Sequence, residues 1–224
     1  MTTLFYCSVS NVSCHDIIGV FKDIIAPTFQ DEISTYVSPK YALHHLAGRI
    51  TLYHALRACG YFKPSIDVWD LSKNKHGKPV LPIGPHFNIS HDEACVVVAL
   101  SENCPVGVDV EKITFKEISR YKARVFSDLE WHQIVSSKDH NAKFHQLWTQ
   151  KEATMKADGR GISMGWKNVE VNDSISVLSD TGEVYYLHQF DCVPEHSICL
   201  ALSVPAEPIV TRKIDILSRS IVAL

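Results

Sequence analysis

The segment from Gly107 to Glu111, with the sequence Gly-Val-Asp-Val-Glu, is the sharpest candidate for chemistry in the chain. If it forms a strand, Asp109 and Glu111 lie on the same face, with their Cα atoms about 6–7 Å apart. Two carboxylates at this spacing can hold one hard cation such as Mg²⁺ or Mn²⁺, whereas zinc prefers nitrogen and sulfur ligands. The alternative interpretation is a solvated strand end that carries two ordinary surface acids.

The segment from Trp148 to Lys156 is a second candidate, because its functional side chains fall on one stripe of a helix. Trp148, Glu152 and Lys156 are spaced at i, i+4 and i+8. Glu152 could serve as a third metal ligand or as a base, with Lys156 near a phosphate. A salt bridge on the helix surface, beneath a half-buried tryptophan, explains the same spacing.

A third set of residues is suited to binding an anion rather than to nucleophilic catalysis. Ser90 and His91 are adjacent, so their side chains rarely point at each other, and no acid is placed to orient the histidine. His91 and Lys78, which belongs to a Gly-Lys-Pro turn, are therefore interpreted as donors to an anion.

The elements that must position these residues predict an α+β fold, because strands and helices occur in both halves without regular alternation. A long helix is predicted from Pro39 to Cys59, with Ser38 as its N-cap. Its apolar face packs inward. Its other faces carry His44, His45 and Arg49, which are expected to point into a cleft or into water.

The other predicted elements are shorter. A first strand is predicted at Leu4–Val9, and Ala94–Leu100 and Val106–Glu111 are predicted to form a hairpin. The second half is predicted to contain helices at 115–135, with a break near Ser127, and at 142–157, followed by strands at 167–171, 175–178, 184–189 and 197–204.

The composition excludes several classes of protein. The 224 residues are 46% hydrophobic and 21% charged, which excludes a disordered or fibrous chain. A formal net charge of −3 provides no broad basic field for duplex nucleic acid. No apolar run approaches the roughly 20 residues of a transmembrane span, and the N-terminus lacks a secretory pattern. Seven cysteines without a CxxC pair favour a reduced, cytoplasmic protein.

In order and spacing, these segments resemble the surfactin-type 4′-phosphopantetheinyl transferases. The signatures of that family are a G-[IV]-D-[IVL]-E strand and a W-x-x-K-E-[AS]-x-x-K helix, and residues 107–111 and 148–156 match them intact. Residues 126–130 resemble the F-S-x-x-E segment between them. The stretch 45–49 and the turn at 77–79 resemble the siderophore branch, in particular enterobactin synthase component D.

The resemblance implies two similar α+β halves, residues 1–104 and 105–224, related by a pseudo-twofold axis, with the active site in the cleft between them. It implies that coenzyme A gives its 4′-phosphopantetheine group to a serine of an apo carrier protein, releasing adenosine 3′,5′-bisphosphate. The expected setting is siderophore, nonribosomal peptide or related synthesis, with peptidyl, aryl and acyl carriers all open. The expected oligomeric state is a monomer.

The resemblance also implies roles for the charged residues. Mg²⁺ (or Mn²⁺) is expected on Asp109, Glu111 and Glu152, where it neutralises the pyrophosphate as the leaving phosphate departs. Glu152 is the first choice to take the serine proton, with Glu111 second. Lys156 is expected to hold the pyrophosphate or the developing phosphoryl charge.

The nucleotide end of coenzyme A is expected at Lys78, Ser90 and His91, and Arg49 either joins that pocket or caps the helix surface. The surfactin-type branch commonly has an arginine four residues before the helix glycine. Here that position holds His44, which is only partly charged near neutral pH. Either Lys40 or Arg49 substitutes for that arginine, or coenzyme A binds more weakly as the pH rises.

The carrier protein is expected to be acidic and helical, so its dock needs basic and apolar surface. Lys122, Arg124, Phe126 and residues 127–130 are the candidates, and a core position is the alternative for Phe126.

Two other functions could use the same residues. A Mg²⁺-dependent phosphodiesterase or nuclease could employ Asp109, Glu111 and Glu152, and would hydrolyse its substrate without a carrier. A degenerate nucleotide-binding or regulatory module is the non-enzymatic alternative. Such a module has no physical need to keep these three acids together with Lys156.

Overall fold

The computed structural model describes residues 1–61, 63, 66–205, 208–218 and 221–222. Its helices are α1 (Cys14–Phe21), α2 (Pro27–Ser34), α3 (Pro39–Ala58), α4 (Lys122–Val125), α5 (Asp128–Ser136) and α6 (His140–Asp158). Its strands are β1 (Thr2–Ser8), β2 (Ser72–Lys73), β3 (Pro79–Val80), β4 (His86–Asp92), β5 (Cys95–Ser101), β6 (Val106–Lys112), β7 (Val169–Asn172), β8 (Ile175–Leu178), β9 (Val184–Phe190), β10 (His196–Leu202), β11 (Ile209–Ile214) and β12 (Ile221–Val222). This mixture of helices and strands confirms the predicted α+β class.

These elements form two compact units, each with its own sheet. Unit 1 consists of Met1–Lys73, Pro79–Asn103 and Pro208–Leu224, and unit 2 of Asn74–Lys78 and Cys104–Glu207. Two segments therefore depart from a division into contiguous halves. Residues 74–78 belong to unit 2, and the tail from residue 208 returns to unit 1 because β11 pairs with β1.

The sheet of unit 1 has the strand order β12-β11-β1-β5-β4, in which β11 is parallel to β1 and the other neighbours are antiparallel. The helix α3 confirms the predicted helix and packs on β5. Ser38 is its N-cap, as predicted, because the Ser38 hydroxyl accepts a hydrogen bond from the Tyr41 N–H at 3.3 Å. His44 and Arg49 are only 4% and 9% exposed. They therefore do not face water, since β4 and β5 cover one side of α3 and α1 and α2 cover another.

The predicted hairpin between Ala94–Leu100 and Val106–Glu111 is also wrong. The strand β5 pairs with β1 and β4 of its own sheet, whereas β6 pairs with β10. The turn between them passes the chain from unit 1 to unit 2. Sequence proximity therefore did not determine pairing here.

The sheet of unit 2 is antiparallel, with the strand order β6-β10-β9-β8-β7, and α6 lies across β6 and β10. The helix α6 begins after Asp139, whose carboxylate accepts from the Ala142 N–H at 2.9 Å, and ends at Gly159, which has a φ of 90°. In the described part of the chain, no helix combines the length and the apolar character that crossing a membrane requires.

The segment predicted as a helix from 115 to 135 is broken where the sequence indicated. It consists of a 3₁₀ turn at Ile118–Tyr121, then α4, then α5. Ser127 caps α5 in a reciprocal arrangement, because its hydroxyl accepts from the Glu130 N–H and the Glu130 carboxylate accepts from the Ser127 N–H. The break near Ser127 is confirmed, and the continuous helix before it is wrong.

Candidate active site

Gly107 allows β6 to lie directly against the backbone of α6. A Cβ atom at this position would be 2.0 Å from the Ala153 carbonyl oxygen and 2.3 Å from the Ala157 nitrogen, distances that no side chain can occupy. Asp109 follows two residues later on the same face of β6, so it also points towards α6. Gly107 thus allows β6 and α6 to lie close enough for their charged side chains to make contact.

Lys156 bridges two of the carboxylates that the sequence singled out. Its Nζ lies 2.6 Å from Asp109 Oδ1 and 3.4 Å from Glu152 Oε2. Asp109 is 2% exposed, whereas Glu152 and Lys156 remain partly accessible. The helix therefore presents one anion and one cation beside a buried strand carboxylate.

The electrostatics of this group follow from burial and from the crowding of like charges. Burial raises the pKa of the Asp109 carboxyl; the Lys156 ammonium opposes this rise, and the Glu152 and Glu111 carboxylates add to it. Burial lowers the pKa of Lys156, but Asp109 and Glu152 outweigh that effect and leave it above its ordinary value. Lys156 is therefore a cation at neutral pH.

Glu111 is paired with a residue that the sequence analysis missed. The Nζ atom of Lys116 lies 3.5 Å from Glu111 Oε2 and 6.0 Å from the centroid of the Trp148 ring. Lys116 stands in the loop after β6, where no periodic pattern marks a position, so the sequence carried no signal for this contact. This part of unit 2 therefore contains three carboxyl groups and two ammonium groups.

The donors of this group suit a hard cation, because all three are carboxylates. Asp109 and Glu152 already converge on one cation, the Lys156 ammonium, while Glu111 is held by Lys116. Across the residues that the structure describes, no three or more His, Cys, Asp or Glu side chains are arranged as a ready metal site. Asp109 and Glu152 therefore share the Lys156 ammonium, whereas Glu111 pairs with the Lys116 ammonium.

Lys78, predicted to bind the nucleotide, donates hydrogen bonds to backbone carbonyls of unit 2. Its ammonium contacts the carbonyl oxygens of Val106 at 3.0 Å, Ala157 at 3.4 Å, and Lys156. A cation at the C-terminal end of α6 complements the unpaired carbonyls and the helix dipole there. Burial lowers the pKa of Lys78 to about 8, an effect that Asp158 opposes.

The histidines of unit 1 form a second group, on α3 and β4. The rings of His44 and His91 lie with centroids 4.6 Å apart, and His44 Nε2 donates to the Glu93 carbonyl oxygen at 2.6 Å. His91 is exposed, whereas Ser90 is buried and, by strand alternation, lies on the opposite face of β4. The structure therefore brings His44 and His91 together but does not bring Ser90 to the same face.

Arg49 lies apart from these histidines. It follows His44 by five residues, which places it about 140° further around the helix. Its guanidinium donates to the Val68 carbonyl oxygen at 3.0 Å and lies 5.6 Å from the centroid of the Phe29 ring. It shares this side of α3 with His45, whose Nδ1 is 2.7 Å from the Tyr36 hydroxyl.

Some of the residues predicted to dock the carrier protein are buried in the structure, and others are exposed. Phe126 is 2% exposed in the core of unit 2, which is the alternative that the sequence left open for it. Glu130 is also buried, so its place in the predicted dock is wrong. Lys122 and Arg124 are exposed. Phe115, which the sequence analysis did not select, is 89% exposed.

Comparison with known proteins gives consistent matches. A family model described as the 4′-phosphopantetheinyl transferase superfamily matches residues 105–206. The chain is 30% identical over 164 residues to 4′-phosphopantetheinyl transferase gsp of Aneurinibacillus migulanus, covering 72% of this chain and 68% of that protein. It is 28% identical over 198 residues to 4′-phosphopantetheinyl transferase Sfp of Bacillus subtilis, covering 84% and 86% of the two chains. It is also 30% identical over 181 residues to the rat L-aminoadipate-semialdehyde dehydrogenase-phosphopantetheinyl transferase, covering 72% and 56%.

Proposed function

Because the chain belongs to the 4′-phosphopantetheinyl transferase superfamily, we propose that Asp109, Glu152 and Lys156 of unit 2 carry its phosphoryl-transfer chemistry. The family model and the two bacterial relatives confirm the resemblance to the surfactin-type transferases. The reaction moves the 4′-phosphopantetheine group of coenzyme A to a carrier protein. The contact of Lys156 with both carboxylates is the observation that supports the assignment.

The chemistry requires neutralisation of a pyrophosphate and removal of a proton from the attacking serine. Asp109, Glu111 and Glu152 would hold Mg²⁺, which when bound neutralises charge on the pyrophosphate. Glu152 is the more accessible of the two carboxylates beside Lys156, so it is suited to accept the serine proton. Lys156 is suited to binding the phosphoryl oxygens, because its ammonium is charged and partly accessible.

The contacts to the nucleotide end belong to the same proposal. His91 is exposed and suited to donating to a phosphate, with His44 packed against its ring. Ser90, Arg49 and Lys78 remain proposed contacts on the strength of the family resemblance. The backbone partners of Lys78 favour a role in which it steadies the end of α6.

The proposed dock for the carrier protein is the segment from 112 to 124 in unit 2. It carries five of the basic residues of a chain with net negative charge, and a single acid, Glu117. The basic residues are Lys112, Lys116, Arg120, Lys122 and Arg124. Phe115 supplies an exposed apolar group beside Lys116, which contacts Glu111. An acidic helical protein with an apolar contact residue complements this segment.

The pathway and the location are proposed from weaker features. The resemblance at 45–49 and 77–79 favours a carrier of siderophore or nonribosomal peptide synthesis. All seven cysteines are free thiols, which supports a reducing, cytoplasmic compartment. A monomer remains the expectation from the family.

The test is mass spectrometry of apo carrier proteins incubated with the enzyme, coenzyme A and Mg²⁺, with an EDTA control. A panel of aryl, peptidyl and acyl carriers covers the proposed pathways. A gain of the phosphopantetheine mass that EDTA abolishes supports both the reaction and the metal. Transfer that persists in EDTA contradicts the metal assignment, and release of phosphopantetheine without a carrier would indicate a phosphodiesterase instead.

A further inference from the structure

Lys151, the lysine that precedes Glu152, does not face the candidate active site. It is 1% exposed, and its ammonium lies 2.9 Å from Glu130 Oε1. The same ammonium donates to the carbonyl oxygen of Trp166 at 3.3 Å and to that of Val169. All three hydrogens of the ammonium therefore have acceptors inside unit 2.

The partner carboxylate is just as fully used. Glu130 Oε2 accepts from the Ser127 N–H at 2.8 Å, and Oε1 accepts from the Val171 N–H at 3.0 Å as well as from Lys151. Glu130 is 1% exposed. One buried ion pair thus joins the start of α5, the middle of α6 and the first strand of the β7–β8 pair.

We infer that the Glu130–Lys151 pair is a positioning device, which fixes the rotation and the axial position of α6 so that Glu152 and Lys156 meet Asp109. This inference rests on the proposed function. Lys151 lies about 200° around the helix from Ala153, which faces Gly107, so the pair holds α6 from the side away from β6. Lys151 is a positioning residue, since it is buried and its ammonium is held by the Glu130 carboxylate and two backbone carbonyls.

The energetics explain why a pair of charges serves this purpose and how to test it. Removing one partner of a buried ion pair leaves the other charge uncompensated and destabilises the fold, whereas replacing both by apolar residues is often tolerated. A double apolar replacement therefore separates positioning from stability.

The experiment compares the double variant Glu130→Leu/Lys151→Met with the wild type and with Lys143→Met. Lys143 lies on the same helix, and its ammonium donates to the Gln146 side chain at 3.2 Å. The double variant is expected to unfold cooperatively and to keep the KM for coenzyme A, with kcat about 10- to 100-fold lower. Its Mn²⁺ affinity, measured by electron paramagnetic resonance, is expected to fall about tenfold, and Lys143→Met is expected to match the wild type.

Wild-type kcat and Mn²⁺ affinity in the folded double variant would overturn the inference and leave the pair a purely stabilising feature. A raised KM for coenzyme A with unchanged kcat would also overturn it, because Lys151 would then contact substrate. If that double variant does not fold, the polar and uncharged pair Glu130→Gln/Lys151→Gln, which leaves neither charge uncompensated, is judged by the same criteria. Absence of transfer by the wild type would refute the proposed function, and the Mn²⁺ measurement would still decide the positioning role.

Discussion

The helices α3 and α6 each pack on a five-stranded sheet. The glycine at the close contact lies on the helix in unit 1 and on the strand in unit 2. In unit 1 the glycine is on the helix, and a Cβ atom at Gly48 would lie 3.1 Å from a methyl group of Ile89 on β4. In unit 2 the glycine is on the strand, and a Cβ atom at Gly107 would lie 2.0 Å from the backbone of α6. Side chains can shift and backbone cannot, so the contact in unit 2 is the more demanding.

The side chains that the two contacts bring together also differ in how precisely they must be placed. The α3–β4 contact places two imidazoles with their ring centroids 4.6 Å apart, a separation typical of packed rings. The α6–β6 contact places an ammonium within 2.6 Å of a buried carboxylate, where a displacement of 1 Å would break the hydrogen bond. Unit 2 therefore holds its charged groups within narrower limits than unit 1 holds its histidines.

The largest expected effect tests this difference directly. Gly107→Ala forces a methyl group into the backbone of α6 and is expected to lower the free energy of unfolding by more than about 3 kcal/mol. Gly48→Ala, the matched variant in unit 1, is expected to change the free energy of unfolding by less than about 1 kcal/mol, because the Ile89 side chain can give way and alanine has the higher helix propensity. Chemical denaturation measures both, and equal effects would contradict the distinction between backbone and side-chain contacts.

Removing the charges of unit 2 is expected to affect turnover more than folding. Asp109→Asn and Glu152→Gln keep the side-chain shapes and are each expected to lower kcat at least about 100-fold, the scale of an essential charge-stabilising or proton-transfer group. Glu183→Gln, at an exposed position just before β9, serves as the control. Near-normal turnover in either variant, with a normal unfolding curve, removes that residue from the mechanism.

The sequence predicted the features of the two units that depend on local patterns, namely helix ends and strand faces. Ser38 and Gly159 mark helix ends by their conformational preferences, and alternation placed Asp109 and Glu111 on one face. It could not predict that β5 pairs with β1, because strand pairing is decided by contacts distant along the chain. The sequence also could not predict the burial of Phe126, since an aromatic residue between Val125 and Ser127 fits a surface and a core alike.

Some site features were hidden for a different reason. Lys116 stands in an irregular loop, and its contact with Glu111 depends on how that loop folds back over unit 2. Lys151 reads as one more charge on an amphipathic helix, yet it is fully buried because Glu130 from α5 neutralises it. A charged residue inside a motif therefore shows its role only when its partner is known.

The histidines of unit 1 are expected to have a smaller effect, confined to substrate binding. His91→Ala removes the exposed imidazole and is expected to raise the KM for coenzyme A about tenfold, the value of a hydrogen bond to a charged group. His44→Phe keeps a ring against His91 and is expected to raise KM only about twofold, because His44 already donates to the Glu93 carbonyl oxygen. Steady-state kinetics measures both. A larger effect at His44 would make it the phosphate ligand.

The smallest expected effect is on acid stability and comes from His54, a buried residue of α3 packed edge-on against Phe21. Burial lowers the pKa of His54 to about 4, from an ordinary value of 6.5, and Arg57 adds to this effect. Between these two values the unfolded chain binds a proton that the folded chain does not, so stability falls as the pH drops through this window. His54→Leu is expected to flatten that acid dependence, whereas His15→Gln, at an exposed position of the same unit, should leave it unchanged. Urea midpoints at pH 7.5 and pH 5 provide the measurement, and an equally steep pH dependence in His54→Leu would assign the acid sensitivity of unit 1 to other groups.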